Sequence, residues 1–134
     1  MIYLLLQTHA GFMILTVCVL LTGALIARFM KKRPWWLKTH RSLAITGVIL
    51  FLIAVAAIAI QITLTERAHF RVPHSWVGLV AFICVLLTPT LGFLQFKVKN
   101  VAAKLRGFHR WSGRITICLM IINVILGLLL IGVL

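Results

Sequence analysis

The sequence predicts an all-α membrane protein, a four-transmembrane-helix bundle with both termini outside. Three observations carry this. Hydrophobic residues fill 63% of the 134 positions, against about half in a soluble domain, and mean hydropathy is +1.15. Four apolar stretches, residues 3–30, 37–65, 73–96 and 107–134, each reach the ~20 residues a helix needs to cross a bilayer core. The cations cluster in alternate connections. Arg28, Lys31, Lys32, Arg33, Lys38 and Arg41 mark the first, and Lys97, Lys99, Lys104, Arg106 and Arg110 the third. The second holds Arg67 and Arg71 beside Glu66, the sole acid. Basic residues are retained on the cytoplasmic side, which places the first and third connections inside. The net charge of +13 then reflects sorting across a bilayer, with no nucleic acid implied. The spans use almost the whole chain, so residues 1–134 are expected to form one domain with no extramembrane portion. The expected residence is a prokaryotic cytoplasmic (inner) membrane.

Each element has its own signals. The first apolar stretch lacks a basic leader and is too long for a signal peptide, so it is read as helix 1. A basic run, Pro34 and the Trp35–Trp36 pair read as a turn with interfacial anchors. Residues 67–72 form a short outer loop, after which Pro73 suits a first helical position. Pro89 falls inside helix 3 and is expected to bend it, since it removes a donor and crowds the preceding turn. Cys18, Cys84 and Cys118 each stand alone in mid-helix, which gives no disulfide, zinc or covalent haem motif and suits packing. Helices 3 and 4 carry a weak repeat at a 35-residue offset. His74-Ser75-Trp76-Val77-Gly78 matches His109-Arg110-Trp111-Ser112-Gly113, and Gly92 matches Gly127.

Ionisable side chains inside membrane helices are costly and point to function. Every helix has one histidine near its N-terminal end: His9, His40, His74 and His109. Under the topology above, His9 and His74 fall near the outer face and His40 and His109 near the inner face. Each pair comes from two parallel helices, which stand diagonally in a four-helix bundle. A planar macrocycle fits between them, with two imidazoles closing the coordination of its iron. This is the ligand set of a b-type haem used for one-electron transfer. The expected cofactors are therefore two non-covalent haems, with His9, His74, His40 and His109 as the metal ligands. At 1.5 Å per residue, the two levels lie roughly 20–25 Å apart.

Other residues are expected around these groups. Gly78 and Gly113 lie four positions after a histidine, on the same helix face, where a bound ring would leave no room for a side chain. Ala44 occupies the same offset in helix 2, and Met13 departs from the rule in helix 1. Close helix packing explains such small residues equally well. Arg41, Arg110 and Arg114 inside, with Lys38, and Arg71 outside, with Arg67, are candidates to meet anionic haem propionates. Arg114 lies deeper than a topology signal requires. Snorkelling cations are the competing explanation for each. Asn123, deep in helix 4, bonds across the bundle or lines a path between cofactors. His69 belongs to the outer loop, with its role left open.

In these residues the chain resembles the cytochrome b561 family. The resemblance rests on Thr8-His9-Ala10-Gly11 and Thr22-Gly23-Ala24-Leu25-Ile26-Ala27-Arg28 in helix 1, and Trp36-Leu37-Lys38-Thr39-His40-Arg41 in helix 2. It continues in His74-Ser75-Trp76-Val77-Gly78 and Pro89-Thr90-Leu91-Gly92-Phe93 in helix 3. Helix 4 adds His109-Arg110-Trp111-Ser112-Gly113-Arg114 and Ile122-Asn123-Val124-Ile125-Leu126-Gly127. The resemblance implies two haems, one between helices 1 and 3 and one between helices 2 and 4, and transmembrane electron transfer, often from ascorbate inside. Lys97, Lys99 and Lys104 are placed to attract an anionic donor. The chain is expected to lack the flanking fifth and sixth helices of many members and any attached catecholamine-binding-type domain, and so to serve as an electron-transfer subunit.

Three functions stand against one another on these residues. The first is a di-haem carrier moving electrons between a donor and an acceptor on opposite sides, fed by a small reductant, a quinol or a partner redox protein, alone or as a subunit or oligomer. The second is a ferric or quinone reductase with its own substrate site, at His69 and Arg71 outside or Lys97 and Lys99 inside. The third is a haem-free anchor or transporter whose histidines bind protons or metal. The scarcity of acids argues against this third reading, since such paths use buried carboxylates.

Overall fold

The structure is a computed structural model that describes residues 2–133. Four helices fill it: α1 (Ile2–Phe29), α2 (Trp36–Leu64), α3 (Pro73–Lys97) and α4 (Ala102–Leu130), with a 3₁₀ turn at Lys99–Val101 before α4. All four are long and apolar enough to cross a membrane. The first three begin and end within one residue of the apolar stretches that announce them.

The fourth differs. The sequence places it at residues 107–134, whereas α4 begins at Ala102 and ends at Leu130; residue 134 lies outside the described residues. Hydropathy marks where a helix is buried in lipid, not where its hydrogen bonds begin. Ala102, Ala103, Lys104, Leu105 and Arg106 are all good helix formers, so the helix starts a turn and a half before the apolar run. It ends because Gly132 adopts a left-handed conformation, φ 71°. Val133 N–H then donates to Leu128 O (3.0 Å) and Gly132 N–H to Leu129 O (3.2 Å), the paired bonds of a Schellman stop. Helix α2 ends the same way without glycine. Glu66 takes φ 53°, and Arg67 and Glu66 N–H groups donate to Ile62 O and Thr63 O.

Helix α3 runs through Pro89 as one assigned helix. Next to the proline, the Thr116 hydroxyl of α4 donates to Ser112 O (2.7 Å) and accepts from the Thr88 hydroxyl at 2.9 Å, which ties α3 to α4 at this level.

The bundle consists of two hairpins. α1 packs along α2, and α3 along α4. Gly47 allows the first contact, because any Cβ there would overlap the Leu20 side chain. Between hairpins, α1 meets α4 over a short stretch and α2 meets α3 at few points, while α1 and α3, like α2 and α4, stand diagonally. Among the described residues no hydrogen bond joins one hairpin to the other. Their buried meeting is apolar and lies at mid-height. Met13, Phe51 and Ala54 of the first hairpin pack with Ala81, Val85 and Met120 of the second, and the Phe51 and Phe82 rings lie 5.9 Å apart. The outward faces are apolar as well, with Ile49, Ile83 and Ile115 all exposed, as helices against lipid require.

Phe51, 1% exposed, is the largest fully buried side chain of this mid-height layer. In lipid its removal costs packing without much transfer free energy. Phe51→Ala is therefore expected to lower stability by about 1–3 kcal/mol, below the soluble-core value for Phe→Ala, as read by reversible unfolding in mixed micelles.

Candidate functional site: two facing imidazole pairs

Every helix histidine finds the same kind of partner. The Nδ1–H of His9 donates to Ala54 O (2.9 Å) and that of His40 to Gly23 O (2.9 Å). His74 donates to Asn123 O (2.9 Å) and His109 to Thr88 O (2.8 Å). A carbonyl oxygen only accepts, so Nδ1 must carry the hydrogen. Nε2 is left as the nitrogen with a free lone pair. Metal-ligating histidines are set up this way, the far nitrogen fixed on a carbonyl so that tautomer and ring orientation are determined.

The spacing behind these bonds is uniform. Each acceptor lies fourteen positions after the histidine of its own helix: Gly23 after His9, Ala54 after His40, Thr88 after His74, Asn123 after His109. In an antiparallel hairpin, each histidine is thereby level with the acceptor of its neighbour, and two bonds close, one at each end. Fourteen residues of helix separate the two levels by ~21 Å.

Docking the hairpins brings the histidines together in pairs. The His9 and His74 rings have centroids 6.0 Å apart with planes at 87°. The His40 and His109 rings are also 6.0 Å apart, at 80°. Each pair lines a cavity. The one near the chain termini, of about 510 Å³, is bounded by His9, His74, Met13, Gln61, Arg67 and Arg71, among others. The one near the two basic connections, of about 680 Å³, is bounded by His40, His109, Ala44, Gly113 and Gln95, with Arg28, Lys31, Arg106, Arg110 and Arg114.

These sites fit a haem. An ion between two imidazole nitrogens at ~2 Å, each nitrogen ~1 Å from its ring centre, sets the ring centres about 6 Å apart, as found. Among the described residues no group of three or more His, Cys, Asp or Glu gathers anywhere. A bare zinc ion takes four ligands, whereas a haem iron brings four of its own and needs two from the protein. Apolar walls with a cationic rim suit a macrocycle with propionates at one edge.

The other expected residues divide. Arg110, Arg114 and Gly113 line the basic-end cavity, and Arg71 the terminal-end cavity. Arg114 also stacks on Trp111, its guanidinium carbon 4.9 Å from the ring centre. Arg41 lies over Phe96 at 4.2 Å, a cation–π contact between hairpins, and Phe96 rather than Arg41 borders the cavity. Gly78 packs on Asn123, whose amide nitrogen is 3.2 Å from where a Cβ would stand. His69 is exposed in the loop, its ring 6.5 Å from Phe70. Gln61, Gln95, Arg28, Lys31 and Arg106 also line the cavities, without being marked as site residues by the sequence pattern. For Gln61 and Gln95 the signal is the helical phase, because each falls seven positions after an acceptor carbonyl, on the same face.

Fold and site together define an integral membrane bundle with one imidazole pair toward each end. Residues 8–132 match the family described as eukaryotic cytochrome b561, and the chain belongs to that family. It is 31% identical over 113 residues, 79% of its own length, to a cytochrome b561 and DOMON domain-containing protein of Arabidopsis thaliana, and spans 27% of that protein. That family is one of b-type haem proteins that move electrons across membranes. The matched relative is a plant protein, so a prokaryotic membrane does not follow from the match.

The tautomers are directly measurable. Nitrogen NMR of the histidine-labelled protein is expected to report Nδ1-protonated rings for His9, His40, His74 and His109. An Nε2–H signal from any of these four would contradict the hydrogen bonding above.

Proposed function

We propose that this chain carries electrons across the membrane through two b-type haems, one held by His9 and His74 and one by His40 and His109. The observation that supports this most directly is the pair of matched imidazole couples, each with Nε2 free and each opening on its own cavity toward one end of the spans. A haem held by two imidazoles would supply one-electron exchange.

The polypeptide does the rest. The carbonyls of Ala54, Gly23, Asn123 and Thr88 hold the rings in the ligating tautomer. Arg67 and Arg71 at one mouth, and Arg28, Arg106, Arg110 and Arg114 at the other, would neutralise the propionates of a bound haem. The Phe51, Phe82, Val85 and Met120 layer keeps water from the space between the sites, which are close enough in level for tunnelling without a third cofactor. Cation retention favours the basic end as cytoplasmic and both described ends of the chain as outside. A small reductant, a quinol or a partner redox protein feeds one site, and an acceptor drains the other. The relative's name couples its b561 portion with a further domain, which supports a protein partner at one face.

Reconstitution tests this. In sealed vesicles with ferricyanide trapped inside and reductant outside, the protein is expected to reduce the trapped acceptor, and an imposed membrane potential to alter the rate. His9→Ala and His40→Ala should each bring the rate down to that of empty vesicles, because each breaks the chain at one site. Transfer that survives either change would contradict a path through both sites.

A further inference from the structure

The second hairpin holds its two histidines from behind as well as through Nδ1. Gly92 of α3 lies against the His109 ring. A Cβ there would stand 3.0 Å from Cε1 and 3.1 Å from Nδ1. Gly127 of α4 lies in the same way against His74, at 3.0 Å from Cε1 and 3.3 Å from Nδ1. Each glycine is four residues beyond the carbonyl that accepts from that ring, Thr88 for Gly92 and Asn123 for Gly127, one turn along the same helix face. Carbonyl and bare Cα thus form a two-point seat, the first gripping Nδ1 and the second backing the edge between Nδ1 and Nε2.

The first hairpin has no such seat. The positions that correspond to Gly92 and Gly127, eighteen after each histidine, hold Ala27 in α1 and Ile58 in α2. A Cβ on Gly23, whose carbonyl accepts from His40, would stand an ordinary 3.8 Å from that ring. Each imidazole pair therefore combines one ring backed by glycine, from α3 or α4, with one ring that is not, from α1 or α2.

We infer that Gly92 and Gly127 are positioning residues, each fixing the direction of one axial imidazole, Gly92 at the basic-end site through His109 and Gly127 at the terminal-end site through His74. The inference rests on the ligand assignment proposed above. A methyl group at either position meets Cε1 while the hydrogen bond holds Nδ1 in place. The ring yields by swinging its Nε2 end, which takes the lone pair off the metal's axis. The neighbouring site, ~21 Å away along the helices, does not feel it. Packing changes of one carbon in a filled site have consequences of this local kind.

The test uses the full chain purified with its haem. Gly92→Ala, Gly127→Ala and Gly107→Ala are compared by low-temperature EPR, by redox titration and by the rate of haem loss to an apo-globin scavenger. Gly107 is the control, since a Cβ there meets nothing within 4 Å. His9→Ala and His40→Ala identify which signal belongs to which site. Gly92→Ala is expected to shift the EPR signal and midpoint of the haem that His40→Ala removes, and to speed its loss about tenfold. Gly127→Ala should do the same to the other haem alone, and Gly107→Ala to neither. Wild-type signals and loss rates in both variants, or equal changes at both haems in each, would overturn the inference and leave the ligand assignment standing. Haem absent from the wild type, or retained unchanged in both histidine variants, overturns the assignment and the inference with it. If Gly92→Ala does not accumulate, Gly92→Ala/His109→Ala decides. With the ring gone the methyl has room, so the double variant should hold the remaining haem as His109→Ala does. A double variant as defective as Gly92→Ala overturns the inference.

Discussion

A histidine inside a membrane helix must satisfy its N–H without water, and in this protein it does so on the main chain of the neighbouring helix. That hydrogen bond, made four times with the same fourteen-residue spacing, is the constraint on which the rest of the structure depends. Two such bonds, one near each end of a hairpin, fix how far the helices slide past one another. A slip of one residue would turn each ring by ~100° about its helix and strand both N–H groups in an apolar setting. The bond that sets hairpin register also leaves Nε2 unprotonated. Structural and chemical requirements are met by the same atom.

The hairpins are tied internally by these bonds and meet each other through an apolar layer, an aromatic pair and the Arg41–Phe96 stack. Each imidazole pair, by contrast, takes one ring from each hairpin. A metal held between the rings would tie together what the polypeptide leaves untied. The mid-height layer of Phe51, Phe82, Val85 and Met120 has two roles in this arrangement. It separates the two cavities with closely packed apolar side chains; under the proposed function, that layer is the medium an electron would cross.

Much of this was legible in the sequence because it depends on side-chain identity. Length and apolarity gave the spans, alternate cationic connections gave antiparallel neighbours, and one histidine per helix then gave two pairs on diagonal helices. What was hidden depends on backbone and on phase. The four acceptors are a glycine, an alanine, a threonine and an asparagine, and no residue pattern announces a carbonyl. Gly92 and Gly127 were visible as a repeat but not as the backing of rings on the facing helix, since that contact requires knowing hairpin register. Arg41 follows a histidine directly and so was grouped with it, yet adjacent helix positions point ~100° apart, which carries Arg41 to Phe96. The start of α4 was missed because Lys104 and Arg106 end an apolar run without ending a helix.

The most direct measurement is haem stoichiometry across paired histidine substitutions, by pyridine haemochrome assay on the purified protein. Two haems per chain are expected in the wild type and one in His9→Ala/His74→Ala, the same one that is retained when either residue is changed singly. None is expected in His9→Ala/His40→Ala, where both sites lose a ligand. One haem or none in the wild type, or a full complement in His9→Ala/His40→Ala, would contradict a haem at each imidazole pair.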